Sequence, residues 1–314
     1  LLDEAVNICG LFINGNQLVV STKGKSAEWD KDYKTLGSPW DEKIPLTVLT
    51  NRNSASASEI VAGTMQDLDR GVVIGQRSFG KGLVQTTRSL SFNAKLKVTT
   101  AKYYTPSGRC IQALDYSHRN EDGSVGEIPD SIKTKFKTKN GRTVMDGGGI
   151  DPDIKTTSKE ALRIISTLVT KSFSFDYATE FVKTHPSIAP PKDFKISEND
   201  FNDFVKWLDG KDYSYKTKTE ESLVAFKEIA VKENYFDGVK KDFEMLQKTL
   251  NHDKKQDLIK NKKEIMQLLQ AEIVTRYYFQ KGRLQNQLKE DDEVLEAIHI
   301  LADQSKYESL LRGK

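Results

Sequence analysis

Residues 51–85 read NRNSASASEIVAGTMQDLDRGVVIGQRSFGKGLVQ, and the fold turns on this stretch. Asn51–Ser58 is small and polar, the composition of a turn. Glu59–Leu68 (EIVAGTMQDL) has apolar residues at helical spacing and predicts a helix, with Gly71 suited to its C-terminal cap. Gly71–Gly75 (GVVIG) is a short apolar run that predicts a buried strand, and Ile44–Thr50 predicts another strand upstream. Strand, turn, helix and strand in succession describe an α/β unit with serines at a helix N-terminus.

Outward from this unit, residues 3–12 predict a short amphipathic helix, with Asp3 and Glu4 in its first turn and Leu2, Val6, Cys9 and Phe12 at helical spacing. Gln17–Ser21 is a brief strand, and residues 22–43 read as loop and edge strand. Leu83–Leu90 and Lys95–Tyr104 alternate and are β-rich, joined by a turn at Asn93–Ala94. Residues 113–146 are rich in Gly, Asp, Asn and Lys and predict a long excursion holding one small hairpin. Gly147–Ile154 (GGGIDPDI) is a turn into a final short strand. After about residue 158 the character changes to helices rich in Lys and Glu. His185-Pro186 and Ala189-Pro190-Pro191 mark a break near 186–192, and Leu258, Ile265, Leu269, Ile273 and Tyr277 mark one long helix. The expectation is an α/β core with a mixed sheet and flanking helices over 1–158, followed by an all-α region over 159–314.

Composition narrows the chemistry. The 314 residues carry 48 basic and 45 acidic side chains, a net +3, and residues 192–314 hold 23 basic against 24 acidic. So even a balance gives no warrant for a nucleic-acid partner. TRYYFQKGR at 275–283 accordingly reads as the end of a core-packed helix rather than a base-stacking surface. No apolar run is long enough to span a membrane. Cys9 and Cys110 permit at most one bridge and read as buried small apolar residues. Four scattered histidines, without CxxC or HExxH, give no metal site, and no cofactor is implied. The chain opens Leu-Leu-Asp with no basic or apolar leader region, which reads as a mature or truncated product.

A serine at a helix N-terminus sits where unpaired N–H groups and the helix dipole favour developing negative charge, as acyl transfer requires. Ser56-x-x-Glu59 is also a good capping box, which would account for both residues without catalysis. A base tips the balance. No histidine precedes His118, but Lys81 stands in a Gly-Lys-Gly tripeptide after a buried strand. Ser–Lys pairs are a variant of triad logic, with burial lowering the lysine's hold on its proton. On a strand, Lys81, Leu83 and Gln85 share one face, so the Gln85 amide can orient the amine without adding charge. Gly75–Lys81 also fits G-x-x-x-x-G-K. A phosphate loop needs Ser or Thr next and a helix after it, whereas Gly82 and a strand-like segment follow.

NSASASEIVAG, D-x-x-R-G-V-V-I-G, SFGKGLVQ, AKYYTPSGRCIQ and GGGIDPDI, in this order, resemble the C-terminal processing peptidases (tail-specific proteases) over residues 1–156. The resemblance implies a ClpP/crotonase-like core and a serine endopeptidase acting on unstructured or C-terminal protein tails. In that family the middle serine of the run acts, with the lysine 25 positions later. This assigns Ser56 as nucleophile, Lys81 as base, Gln85 as the residue positioning Lys81, and the Ala57 N–H as an oxyanion donor. It treats Tyr103, Tyr104 and Arg109 as strand packing and loop charge. The family's second oxyanion donor, a glycine just before the first helix, and its PDZ domain lie upstream of Leu1, so little or no activity is expected of this chain alone. The resemblance further implies a periplasmic or cell-envelope location and a possible homo-oligomer built through the helical half. The alternative is a catalytically silent scaffold that binds partners through residues 159–314.

Overall fold

The computed structural model describes residues 2–157, 162–250 and 254–313. In chain order its elements are α1 (Leu2–Gly10), β1 (Leu18–Gly24), β2 (Lys31–Lys34), β3 (Thr47–Thr50), α2 (Ala57–Asp67), β4 (Val72–Gly75), β5 (Leu83–Ser89) and β6 (Lys95–Tyr104). Two small hairpins follow, β7 (Leu114–Arg119) with β8 (Val125–Glu127) and β9 (Lys135–Lys137) with β10 (Thr143–Met145), and then β11 (Ile154–Lys155). The helical part comprises α3 (Arg163–Thr170), α4 (Phe173–Thr184), α5 (Glu198–Trp207), α6 (Lys218–Lys232), α7 (Phe236–Leu250), α8 (Lys254–Lys260), α9 (Lys262–Gln287), α10 (Asp292–Ala302) and α11 (Gln304–Arg312). The architecture is α/β with an all-helical region, as the sequence implies.

Two compact units result: Leu1–Ser158 together with Asp291–Lys314, and Lys159–Glu290. In the first, β4 is the middle of a parallel sheet in the order β11-β4-β3, pairing Val73 with Val48 and Ile74 with both Leu49 and Ile154. Val73 packs with Ile60, Met65 and Val6 of α2 and α1, while Val72 and Ile74 pack with Ala297, Ile300 and Tyr307 of α10 and α11. Helices thus cover both faces of the strand, which is why GVVIG is apolar throughout rather than alternating. Tyr307 ties the cover down by accepting the Leu46 N–H at 2.8 Å. The sequence reading places all of 159–314 in one helical domain, whereas residues 291–314 complete the core of the first unit. Composition alone does not say which core a Lys- and Glu-rich amphipathic helix covers.

The second large sheet is antiparallel, in the order β2-β1-β6-β5, and the two hairpins form two further sheets of two strands each. Helix α2 stops at Asp67, and Asp69 takes the left-handed backbone (φ +51°) expected of Gly71. An Asp tolerates that conformation when its carboxylate is used: Asp69 accepts from Arg142 Nε at 2.6 Å, and Arg142 Nη1 reaches Asp153 Oδ1 at 2.5 Å. Asp153 in turn accepts the Val73 N–H at 2.8 Å, joining the GGGIDPDI turn to β4. Arg109, expected as a loop charge, is fully buried, with Nη2 2.8 Å from Asp67 Oδ1 and 2.7 Å from Gln66 Oε1. Residues 113–146 hold two hairpins where the sequence predicts one.

The second unit packs Ile164, Leu168, Tyr177, Phe181, Phe204, Leu258, Ile265 and Leu269 into one core. The helix predicted from Leu258 onward is two, α8 and α9, parted at Asn261. The proline-rich break is pinned from α9: Asn286 Nδ2 donates to the carbonyls of Pro191 (2.7 Å) and Phe194 (3.1 Å). The two tyrosines of TRYYFQKGR are spent the same way, with Tyr278 Oη donating to the Ile188 carbonyl at 3.1 Å and Tyr277 Oη to that of His185, while Phe279 is exposed.

Ile300→Ala removes the apolar cover from β4 and is expected to cost the first unit about 2–5 kcal/mol. Amide exchange at Val72–Gly75 measures it. Lost protection there is the expected result, and lost protection confined to α3–α9 contradicts the placement of α10 and α11.

Candidate functional site

Ser56 is the N-cap of α2 and has φ +61° and ψ −119°, a backbone conformation sparsely populated by residues other than glycine. Such strain persists only where surrounding bonds over-determine it. Here the anchor is Glu59. Its carboxylate is fully buried and accepts four donors: the Ser56 N–H at 2.8 Å, Ser78 Oγ at 2.5 Å, the Gly80 N–H at 2.7 Å and the Lys81 N–H at 2.9 Å. One oxygen, Oε2, takes both the Ser56 and the Lys81 amides. Charge-assisted bonds of this kind are the strong ones, and a buried carboxylate with fewer donors would be costly.

The loop between β4 and β5 is held from every side. Ser78 exchanges bonds with Ile150, its N–H donating at 3.0 Å and its Oγ accepting at 2.7 Å, while the Phe79 N–H donates to the Ser54 carbonyl at 3.0 Å. A Cβ on Gly80 (φ +85°) would stand 2.4 Å from that of Ala113, whose N–H donates to Gly80 at 2.9 Å. A Cβ on Gly149 (φ +76°) would stand 2.6 Å from the Ser78 carbonyl oxygen. Gln112, nearly buried, accepts the Gly82 N–H at 2.8 Å. The glycines of SFGKGLVQ and GGGIDPDI therefore serve close backbone approach, and β5 rather than a helix follows Lys81, which leaves a phosphate loop without its dipole.

Of the three candidate serines, Ser54 Oγ accepts the Asn51 N–H at 3.1 Å and Ser58 Oγ donates to the Ala55 carbonyl at 2.9 Å. Both are occupied with the turn, and Ser56 alone of the three carries the left-handed backbone. Ala57 is the first residue of α2, so its N–H has no intrahelical acceptor. Lys81 is exposed, in contrast to the buried amine the sequence reading calls for. Gln85 is exposed too and, with Leu83, lines a cavity of about 560 Å³ shared with Lys102, Cys110, Gln112 and Asp146. Neither Ser56 nor Lys81 lines it. The structure thus joins Ser56 and Lys81 through their backbones and Glu59, and sets Gln85 on the cavity beside them.

Tyr103 is the residue that sequence reading assigned to packing alone. It is nearly buried, its N–H donates to the Gly82 carbonyl at 3.0 Å, and its Oη donates to the Lys81 carbonyl. Burial first, and the Glu59 carboxylate second, push its phenol well above the usual tyrosine range, against the opposing pull of a hydrogen bond with the Ser56 side chain. Glu59 was legible as a capping partner but not as the hub, because Ser78, Gly80 and Lys81 approach it only in three dimensions. Both cysteines are free, and burial pushes the Cys9 thiol up to about 12. Among the described residues no cluster of His, Cys, Asp and Glu could hold a metal ion, and no helix is long and apolar enough to cross a membrane.

Comparison with known proteins bears on this geometry. Residues 1–117 match the model of Peptidase family S41, and residues 164–301 match that of the probable PDZ-protease C-terminal helical domain. The carboxy-terminal-processing protease of Bartonella bacilliformis is 49% identical over 115 residues, 36% of this chain and 26% of that one. The chloroplastic C-terminal processing peptidase of Tetradesmus obliquus is 38% identical over 117 residues, 37% of this chain and 25% of that one. Among solved structures, the photosystem II D1 C-terminal processing protease aligns over 50% of this chain and 31% of its own, at 29% identity and a TM-score of 0.36. The region matched is thus about a quarter of the length of these two curated relatives. Residues 1–117 are thus similar to Peptidase family S41, and the likeness to C-terminal processing peptidases read from the motifs is shown by these matches.

Glu59→Gln keeps one acceptor oxygen and turns an NH₂ toward groups that themselves donate. Unsatisfied buried donors cost about 1–3 kcal/mol, and a loss of at least that size in the unfolding free energy of the first unit is expected in urea titration. An unchanged midpoint would contradict the four-donor role.

Proposed function

We propose that this chain is the catalytic part of a serine endopeptidase that cleaves unstructured or C-terminal tails of proteins with a Ser56/Lys81 dyad. The observation that carries this reading is the shared Glu59 oxygen, which ties the strained serine at the start of α2 to the glycine-flanked lysine of the next loop. The substrate class follows from the similarity to a carboxy-terminal-processing protease and a C-terminal processing peptidase.

In the proposed reaction Ser56 Oγ attacks the carbonyl carbon of the scissile peptide while neutral Lys81 Nζ takes the hydroxyl proton. The oxyanion so formed meets the Ala57 N–H at the positive end of the α2 dipole. Collapse of the tetrahedral adduct passes the Lys81 proton to the leaving amine, and water then hydrolyses the acyl-enzyme with Lys81 again as base. Gln85 holds the amine once it turns toward the serine. No step calls for a metal or cofactor. By resemblance the protein works in the periplasm or cell envelope.

Casein hydrolysis by the full-length gene product tests the dyad. Ser56→Ala and Lys81→Ala are each expected to abolish cleavage while leaving circular dichroism unchanged. A well-folded wild type that cleaves nothing, or a Ser56→Ala variant that still cleaves, would sink the proposal and turn attention to α3–α9 as a partner-binding surface.

A further inference from the structure

The phenol of Tyr103 is a buried polar group that the dyad mechanism leaves unused. It rises from β6 into the core formed by α1 and α2, beside Ala57 and Ile60. Two bonds fix it to the loop that carries the base: its own N–H donates to the Gly82 carbonyl at 3.0 Å, and its Oη donates to the Lys81 carbonyl. Lys81 is therefore gripped at both ends of its backbone, by Glu59 at the N–H and by Tyr103 at the carbonyl.

A phenol has one proton, and that proton is given to the Lys81 carbonyl. The phenol's own proton stays where it is, because burial and the nearby Glu59 carboxylate both disfavour a phenolate.

We propose that Tyr103 is a positioning residue of the Ser56/Lys81 pair, its hydroxyl bridging β6 to the Lys81 carbonyl while its N–H holds the Gly82 carbonyl, so that the base is presented to the nucleophile from a fixed backbone. The proposal rests on the dyad reading and adds to it a group from the segment AKYYTPSG on β6, the strand that pairs with β5 just after Lys81. Misplacement of a reacting pair by about 1 Å can cost of order 10²-fold in rate, and the effect falls on the chemical step rather than on substrate capture.

Tyr103→Phe in the full-length protein is the test, with kcat and KM measured on a fluorescence-quenched unstructured peptide that ends in a free carboxylate. The expected result is a kcat at least ten-fold lower with KM within two-fold of wild type, the thermal midpoint showing the protein folded at the assay temperature. 4-Aminophenylalanine at position 103, which restores an N–H donor on the same ring, is expected to recover most of the kcat. A folded Phe variant with wild-type kcat overturns the proposal, as does an aminophenylalanine variant that folds but recovers nothing. Should the Phe variant not fold, the aminophenylalanine protein decides alone: near wild-type kcat supports the bridge, and a folded protein with ten-fold lower kcat overturns it. Ser56→Ala in the same assay separates this inference from the dyad, since residual cleavage there would defeat the dyad reading whatever Tyr103 does.

Discussion

One buried carboxylate organises the first unit. Glu59 sits one turn into α2, fully buried, and four donors converge on its carboxylate. Two of those donors belong to residues whose relation matters most, Ser56 and Lys81. The other two, Ser78 and Gly80, fix the loop between them. Satisfying Glu59 thus dictates the left-handed backbone of Ser56, the path of the 78–82 loop and the close approach of Gly149 and Ala113, which admit no larger side chain opposite them. Stability and site geometry are the same set of bonds.

How much of this could be read from the chain follows from range. The α/β order from Ile44 to Gly75 was legible because apolar periodicity and turn chemistry are local, and so was the pair of β-rich segments flanking Asn93. The Ser56–Glu59 spacing was legible as a cap, which half explains Glu59. Its other three donors come from 19 to 22 residues away and leave no periodic trace. Tyr103 was invisible as a site residue for the same reason, since an aromatic in an alternating strand reads as packing. The helix end was misplaced by analogy: glycine is the usual left-handed residue, but Asp69 takes that role because Arg142 and the Asn140 N–H hold its carboxylate.

Helix assignment was the other gap. Amphipathic helices rich in Lys and Glu announce an apolar stripe but not the surface that stripe will meet. The continuous burial of Val72, Val73 and Ile74 implies a cover on each face of β4. Helix α2 supplies one, and α10 and α11, more than 200 residues later, supply the other. The second unit, by contrast, is closed by its own aromatic core, in which Tyr177 meets Phe204 edge-on at 5.0 Å. Residues 276–278, basic and aromatic in sequence, contribute to that closure: Arg276 stacks on Phe175 at 3.9 Å and both tyrosine hydroxyls donate to backbone carbonyls.

The central claim is that Glu59 makes a rigid frame of the serine turn and the lysine loop. Amide hydrogen exchange at Gly80 and Lys81, residue by residue in the unmodified protein, tests it most directly. Glycine-flanked loop amides ordinarily exchange near the rate of an open chain. The account predicts that these two are protected to the same degree as the α2 amides and open only with them. Exchange at free-loop rates, with α2 still protected, would contradict it.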